Sequence, residues 1–242
     1  MRDSMYDRLT DVSKCWCKDT CENVGTDKCK MDCVQFTQMD YMFQMSNLPK
    51  KCWRVPTLET DVLSDDAVKL VGDILYDIVF FVKKGYNLYL YGDTGTGKTT
   101  LAVKLLGTYF KESATKSNFH TRGLFVNVPS FLRDAKLNMT YTNDNFREFL
   151  SDIQKCDLVV WDELCQTDPT AFESQWLYSY INERIMNEKS NIFTSNLSLE
   201  EFDIADKRLS SRVCSCSDCI HFSGEDRRHR MRYSDFRENS CD

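Results

Sequence analysis

The sequence predicts an α/β protein: a parallel β-sheet with helices on both faces, behind a small cysteine-rich N-terminal unit. Three observations carry that prediction. Short apolar strands alternate with amphipathic helices from residue 87 onward. A glycine-rich turn, Gly92 to Thr99, joins the first of these strands to a helix. A later apolar strand ends in two adjacent carboxylates, Asp162 and Glu163.

The elements follow in order. From Leu63 to Lys84, Val68, Val71, Ile74, Leu75, Ile78 and Val82 share one helical face, and Ser64 with two following acids suits its start. Residues 87–91 alternate in strand fashion, and Leu101, Leu105 and Tyr109 mark the next helix. Residues 124–128 read as a strand and 130–137 as a short helix. Phe146, Phe149, Leu150 and Ile153 are spaced for another helix. Residues 157–161 form a strongly apolar strand. Phe172, Trp176, Tyr180 and Ile181 define a helix reaching Asn187, and 191–194 are a strand again. Ser198 and Glu201 form a capping box for a short helix.

The turn is a phosphate-binding loop. Gly92, Asp93, Thr94, Gly95, Thr96, Gly97, Lys98 and Thr99, with Thr100 next, spell Gly-x4-Gly-Lys-Thr between a strand and a helix. There, backbone N–H groups and the helix dipole both favour an anion. Lys98 is expected on the β- and γ-phosphates of a nucleoside triphosphate, and the Thr99 hydroxyl on Mg²⁺. In such a site Asp162 is the expected second holder of Mg²⁺, and Glu163 the residue that polarises the attacking water. Asn196, after the strand 191–194, is a candidate for the γ-phosphate or that water. An ordinary cap at Asn196 reads the same way. Arg208 and Arg212, four apart, share a helix face. They fit either a charge-neutralising arginine that acts on a neighbouring subunit or a solvated basic face.

Bulk properties bound the rest. The chain has 242 residues, 42% hydrophobic and 28% charged, which suits one α/β domain with a small appendage. No apolar run approaches the roughly 18 residues of a membrane span, and the N-terminus lacks a signal-peptide core, so a cytoplasmic protein is expected. A net charge of −6 excludes a wholly basic nucleic-acid binder. Arg227, Arg228, Arg230, Arg232 and Arg237 nevertheless crowd the C-terminal end, where a solvated helix face is the plainer reading.

Twelve cysteines are many for a cytoplasmic chain, and six precede residue 53. Cys15, Cys17, Cys21, Cys29 and Cys33 offer five candidates for a four-coordinate Zn²⁺ site. Buried free thiols are the alternative. Pro49 and Pro56 mark the exit of this unit, giving expected domains 1–57 and 58–242. Cys214, Cys216, Cys219 and His221 alternate as a strand packing small thiols inward would, although a second metal site fits the same residues.

Taken together, these motifs resemble the DnaC/DnaI type of AAA+ ATPase, the bacterial and bacteriophage replicative helicase loaders. The order of GDTGTGKT, LVVWDEL, FTSNLS, RLSSRV and FSGEDRR carries the likeness over nearly the whole chain. RLSSRV also resembles the arginine-finger box of the initiator DnaA. The resemblance implies that Arg212 is a trans-acting finger, that Arg208 is its neighbour in that box and that Asn196 is sensor 1. Few residues follow Arg212, as in loaders whose lid is absent or vestigial. It further implies ATP hydrolysis, self-association through the ATP site, binding of single-stranded DNA, and an N-terminal domain that grips a hexameric replicative helicase. Phe131, Arg133 and Lys136 are candidates for DNA contact, though they fit an ordinary amphipathic helix equally well. A transposition-type AAA+ regulator on duplex DNA, and an ATP-gated adaptor with little turnover, are the rival readings.

Overall fold

The computed structural model describes residues 15, 21–24, 26, 29, 33–52, 60–114, 118–138, 143–165 and 169–226. Five strands form one sheet: β1 (Asn87–Gly92), β2 (Gly123–Asn127), β3 (Leu158–Asp162), β4 (Ser190–Ser195) and β5 (Ser217–Phe222). They lie in the order β2-β3-β4-β1-β5, and every neighbouring pair is parallel.

Alternate residues of each strand feed two separate cores, as the two-residue strand period requires. Leu88, Leu90, Phe125, Leu158, Val160, Ile192 and Ile220 face one side, and Tyr89, Leu124, Val126, Val159, Trp161 and Phe193 face the other. The first face is covered by α1 (Val34–Met45), α2 (Asp65–Tyr76), α3 (Ile78–Lys83) and α4 (Lys98–Ser113). The second is covered by α5 (Val128–Asn138), α6 (Asp144–Lys155), α7 (Ala171–Met186), α8 (Leu199–Ala205) and α9 (Lys207–Cys214). Burying both faces is what makes the strands read as continuous apolar runs.

Two local features depart from the sequence expectation. The helix expected over 63–84 is broken at Asp77, whose carboxylate accepts from Phe80 N at 3.0 Å and so caps a second helix. The helix α1 was not expected at all. Its buried residues include Gln38 and Asp40 beside Phe36, Met39, Met42 and Phe43, which flattens the apolar stripe that would have revealed it. Phe43 packs edge-on against Phe110 of α4 at 5.3 Å between ring centroids, so α1 shares the core of the sheet.

The capping box expected at Ser198 and Glu201 is complete at α8, and the structure adds a second at α7, formed by Thr170 and Glu173. At the edge of the sheet away from the glycine loop, Arg184 is fully buried. It donates to Asn191 Oδ1 at 2.7 Å and to the carbonyls of Ile153, Cys156 and Ser190 at 2.5, 3.0 and 2.6 Å. That guanidinium ties the end of α6 to the starts of β3 and β4. Among the described residues no helix is long and apolar enough to cross a membrane.

Candidate functional site

In a parallel sheet the C-terminal ends of all strands lie at one edge, and there the loops that follow them meet. Gly92, Asp162, Ser195 and Asn127 end four adjacent strands at this edge. The turn after β1 has Gly95 at φ 82° and Gly97 at φ 103°, a left-handed backbone that side chains resist. Gly97 stands at the N-cap of α4 without a side-chain cap, and a methyl added there would meet nothing within 4 Å. The first amides of α4 therefore face a concave turn, the arrangement that suits a phosphate.

Lys98, 7% exposed, folds back along this turn and donates from Nζ to Gly92 O at 2.7 Å and Asp93 O at 2.6 Å. Thr96 braces the loop by donating to Asp93 O at 2.8 Å. Asp93 and Thr94 are exposed, while Thr100 lies half-buried in the first turn of α4. From the other side of the loop, Asp226 covers Gly95 so closely that a methyl at Gly95 would collide with its carboxylate.

Asp162 is the centre of the polar network. Its Oδ1 accepts from Thr99 Oγ1 at 2.7 Å and from Thr194 Oγ1 at 2.8 Å. Burial pushes its pKa upward, and those two hydroxyls and Lys98 oppose the shift. The Thr194 hydroxyl also accepts from Glu163 N at 3.0 Å, so one side chain positions both acids. Glu163 has φ 63°, which turns the chain sharply out of β3. Its Oε2 accepts from Asn127 Nδ2 at 3.1 Å, while Asn127 Oδ1 caps α5 through Ser130 N at 3.2 Å.

Lys98, Thr99, Asp162 and Glu163, expected together, are thus brought together. Asn196 follows β4 and is exposed, and no hydrogen bond from it joins the network. Thr194 and Asn127 were missed. Their signal was positional: each is a polar residue at or near the end of an apolar strand next to the acid-bearing strand.

Arg208 and Arg212 lie one turn apart on α9. Arg208 stacks its guanidinium over the Tyr178 ring at 3.7 Å. Arg212 has its Nε buried without a hydrogen-bond partner among the described residues. Neither makes an ion pair with a described residue. Phe131 is unsuited to stacking on a base, because it is buried against Phe146, Phe149, Trp161 and Tyr180. Lys136 is paired with Glu173 at 2.9 Å, and Arg133 is exposed beside Asp134. Arg227, Arg228, Arg230, Arg232 and Arg237 lie outside the described residues.

Four of the five cysteines expected at a Zn²⁺ site are described. Cys15 and Cys21 are half-buried against the first core, Cys29 is exposed, and Cys33 directly precedes α1. Among the described residues no three His, Cys, Asp or Glu side chains gather to hold a metal. Cys17 lies outside the described residues. At the other end the inward-packing strand expected of the second cysteine cluster is corrected: Cys214 ends α9, Cys216 lies in the turn after it, and only Cys219 and His221 fall in β5, both exposed.

A family model described as IstB-like ATP binding protein matches residues 34–233. The chain belongs to the IstB-like ATP-binding family. No curated protein matches it. Among solved structures, the DnaC helicase loader is 20% identical with a TM-score of 0.60, over 72% of this chain and 100% of that one. DnaI is 20% identical with a TM-score of 0.58, over 75% and 94%. Replication initiator DnaA bound to AMPPCP and single-stranded DNA is 17% identical with a TM-score of 0.57, over 74% and 51%. At such identities the likeness is one of fold. The family match begins at residue 34, where α1 joins the core.

Proposed function

We propose that this IstB-like protein is an AAA+ ATPase that uses ATP hydrolysis to load a hexameric replicative helicase onto single-stranded DNA. The observation that carries the ATPase part is the convergence of Lys98, Thr99, Asp162, Thr194 and Glu163 at one edge of the sheet. The donor set fits a triphosphate and a hard divalent cation: bare helix amides, a lysine, a hydroxyl and a carboxylate.

On this reading the turn from Gly92 to Thr99 cradles the phosphates, and Lys98 exchanges its two loop carbonyls for phosphate oxygens. Thr99 and Asp162 hold Mg²⁺, which when bound neutralises charge developing on the phosphates. Thr194 keeps Asp162 aimed at Thr99 and fixes the amide of Glu163. Glu163 orients the attacking water, and Asn127 sets where its carboxylate rests. Asn196, exposed beyond β4, is left to act on the γ-phosphate directly. Arg212, with Arg208 beside it, reaches the site of an adjoining protomer, which makes turnover depend on assembly.

The loader role is supported by the shared fold of DnaC and DnaI. We place the helicase-gripping part in the cysteine-bearing segment before α1, since residues 34–48 pack with the ATPase body. One observation favours a second reading: the matching family is the IstB-like one, which also includes transposition ATPases. Co-purification separates them. The tagged chain should retain the host's replicative helicase in ATP and lose it in ADP. Retention of a transposase on duplex DNA, with no helicase bound, would overturn the loader role.

A further inference from the structure

The helix α9 is eight residues long, too short to hold its place without packing. Leu209 and Val213 seat one of its faces in the second core, and Asp206 caps its start by accepting from Leu209 N at 3.0 Å. Arg208 and Arg212 lie about 100° round the helix axis from that buried pair. A contact with α7 fixes this second face: the Arg208 guanidinium carbon sits 3.7 Å from the centroid of the Tyr178 ring. Arg208 is exposed, and among the described residues it makes no ion pair that competes with the ring. A guanidinium is weakly hydrated and stacks readily on an aromatic face. Tyr178 is half-buried against the second core, flanked along α7 by Leu177 and Ile181, which are buried in it. Further along the same helix, Arg184 is tied to Asn191 and Ser190 of β4. The ring is therefore a platform fastened to the sheet.

On the reading of Arg212 as a trans-acting finger, on which this inference rests, we propose that Tyr178 is a positioning residue for it: the ring clamps Arg208 and so sets the rotation of the helix that presents Arg212 to an adjoining protomer. The two arginines then have different duties. Arg208 stays within its own chain, because leaving the ring forfeits the stack. Arg212, one turn further on, has a half-buried side chain whose Nε is without a hydrogen-bond partner among the described residues. A shielded donor in that state gains from an acceptor that another chain brings. The one-turn spacing converts the clamp into aim. With Leu209 in the core and Arg208 on the ring, two faces of α9 are held, and roll of the helix about its axis is opposed. A finger acts through its position, and a misplacement of about 1 Å can cost about a hundredfold in rate. Tyr178 itself touches neither the nucleotide nor the reacting atoms.

The test uses the full chain and reads ATP turnover over a range of chain concentrations, with ATP affinity measured beside it. Tyr178→Leu keeps bulk and removes the aromatic face. It should lower assembly-dependent turnover about ten- to hundredfold and leave ATP affinity unchanged. Tyr178→Phe keeps the face and should retain the parent's turnover. Arg208→Gln should match Tyr178→Leu, and the two changes together should cost no more than either alone, because both break one contact. Mixing assigns the defect. A Tyr178→Leu chain should regain turnover beside Lys98→Ala, which brings a well-placed Arg212. It should not rescue Arg212→Ala, which supplies a pocket and needs a finger. Tyr178→Leu as active as the parent, losses that add to those of Arg208→Gln, Tyr178→Phe as impaired as Tyr178→Leu, failure of Tyr178→Leu in both mixtures, or rescue of Arg212→Ala by it would each overturn the proposal while leaving the finger reading standing. Full turnover by Arg212→Ala would instead remove the finger reading, and the proposal with it.

Discussion

Asn127 donates from Nδ2 to Glu163 Oε2 at 3.1 Å while its oxygen caps the following helix through Ser130 N. One amide therefore connects the end of β2 to the acid at the end of β3. Asn127→Asp separates the two duties. It keeps the capping oxygen but replaces the donor with a second carboxylate that repels Glu163. A hydrogen bond to a charged group contributes about 1.5–3 kcal/mol. The expected result is a ten- to hundredfold lower kcat with nucleotide affinity nearly unchanged. Steady-state hydrolysis and nucleotide titration on the same preparation check this, and an unaltered kcat would remove Asn127 from the mechanism.

Asp162 is buried and carries charge at neutral pH at a cost, since its pKa is raised. The sign follows. The folded chain binds this proton more readily than the unfolded one, so its protonation favours folding below the ordinary carboxylate pKa. That contribution is lost as pH rises through the folded pKa. Asp162→Asn keeps an acceptor oxygen for Thr99 and Thr194 and removes the charge. The nucleotide-free variant should melt higher than the parent at neutral pH, with the gap narrowing as pH falls. It should also lose the Mg²⁺-dependent rise in Tm that ATP gives the parent. Thermal melts at neutral and mildly acidic pH test both expectations.

Lys98 and Asp226 should move nucleotide affinity in opposite directions. Lys98 lies in the loop with its charge on backbone carbonyls, and Lys98→Ala should reduce ATP binding beyond detection. Asp226 sets a carboxylate against Gly95, beside the path of the phosphates, and like charges there repel. Asp226→Asn should therefore tighten ATP binding several-fold, with less effect on adenosine. Calorimetric titration of both ligands would show whether the gain follows the phosphates.

Much of this site was legible because its geometry is local. Gly92 to Thr99 specify a turn, a helix start and a lysine within one contiguous stretch, and Asp162 and Glu163 end a strand that apolar content reveals. Asn127 and Thr194 were not legible, because their roles exist only once β2, β3 and β4 are aligned in register. The helix α1 was hidden by Gln38 and Asp40 among its buried residues. Arg184 gave no sign either: in sequence it is one more cation on a helix, and only the fold surrounds it with carbonyls. The N-terminal cysteines are the reverse case: their count suggests Zn²⁺, and among the described residues the structure gathers no metal cluster, with Cys15 and Cys21 lying against the first core.

Arg184 also supplies a stability test independent of nucleotide. Among the described residues no carboxylate pairs with its guanidinium; it is satisfied by Asn191 and by carbonyls of α6, of Cys156 just after it and of β4. Arg184→Met preserves bulk but strips those acceptors of their donor inside the protein. Unsatisfied buried groups make this costly, by roughly 3–5 kcal/mol. Urea unfolding should show a lower midpoint with an unchanged slope, and ATP affinity in native buffer should be retained, because Arg184 lies at the edge of the sheet away from the glycine loop.

Arg212 tests whether the site is shared between chains. If it completes a neighbour's site, Arg212→Ala should bind ATP normally yet lose about a thousandfold of assembly-dependent turnover. Mixing decides the geometry. A Lys98→Ala chain cannot turn over its own nucleotide but keeps its arginine, and an Arg212→Ala chain has an intact pocket without a finger. Neither should hydrolyse ATP alone, whereas the mixture should recover activity as each Arg212→Ala pocket meets an intact Arg212. A mixture as inactive as its components would place the finger elsewhere, and full activity of Arg212→Ala alone would show that no finger from this helix is used.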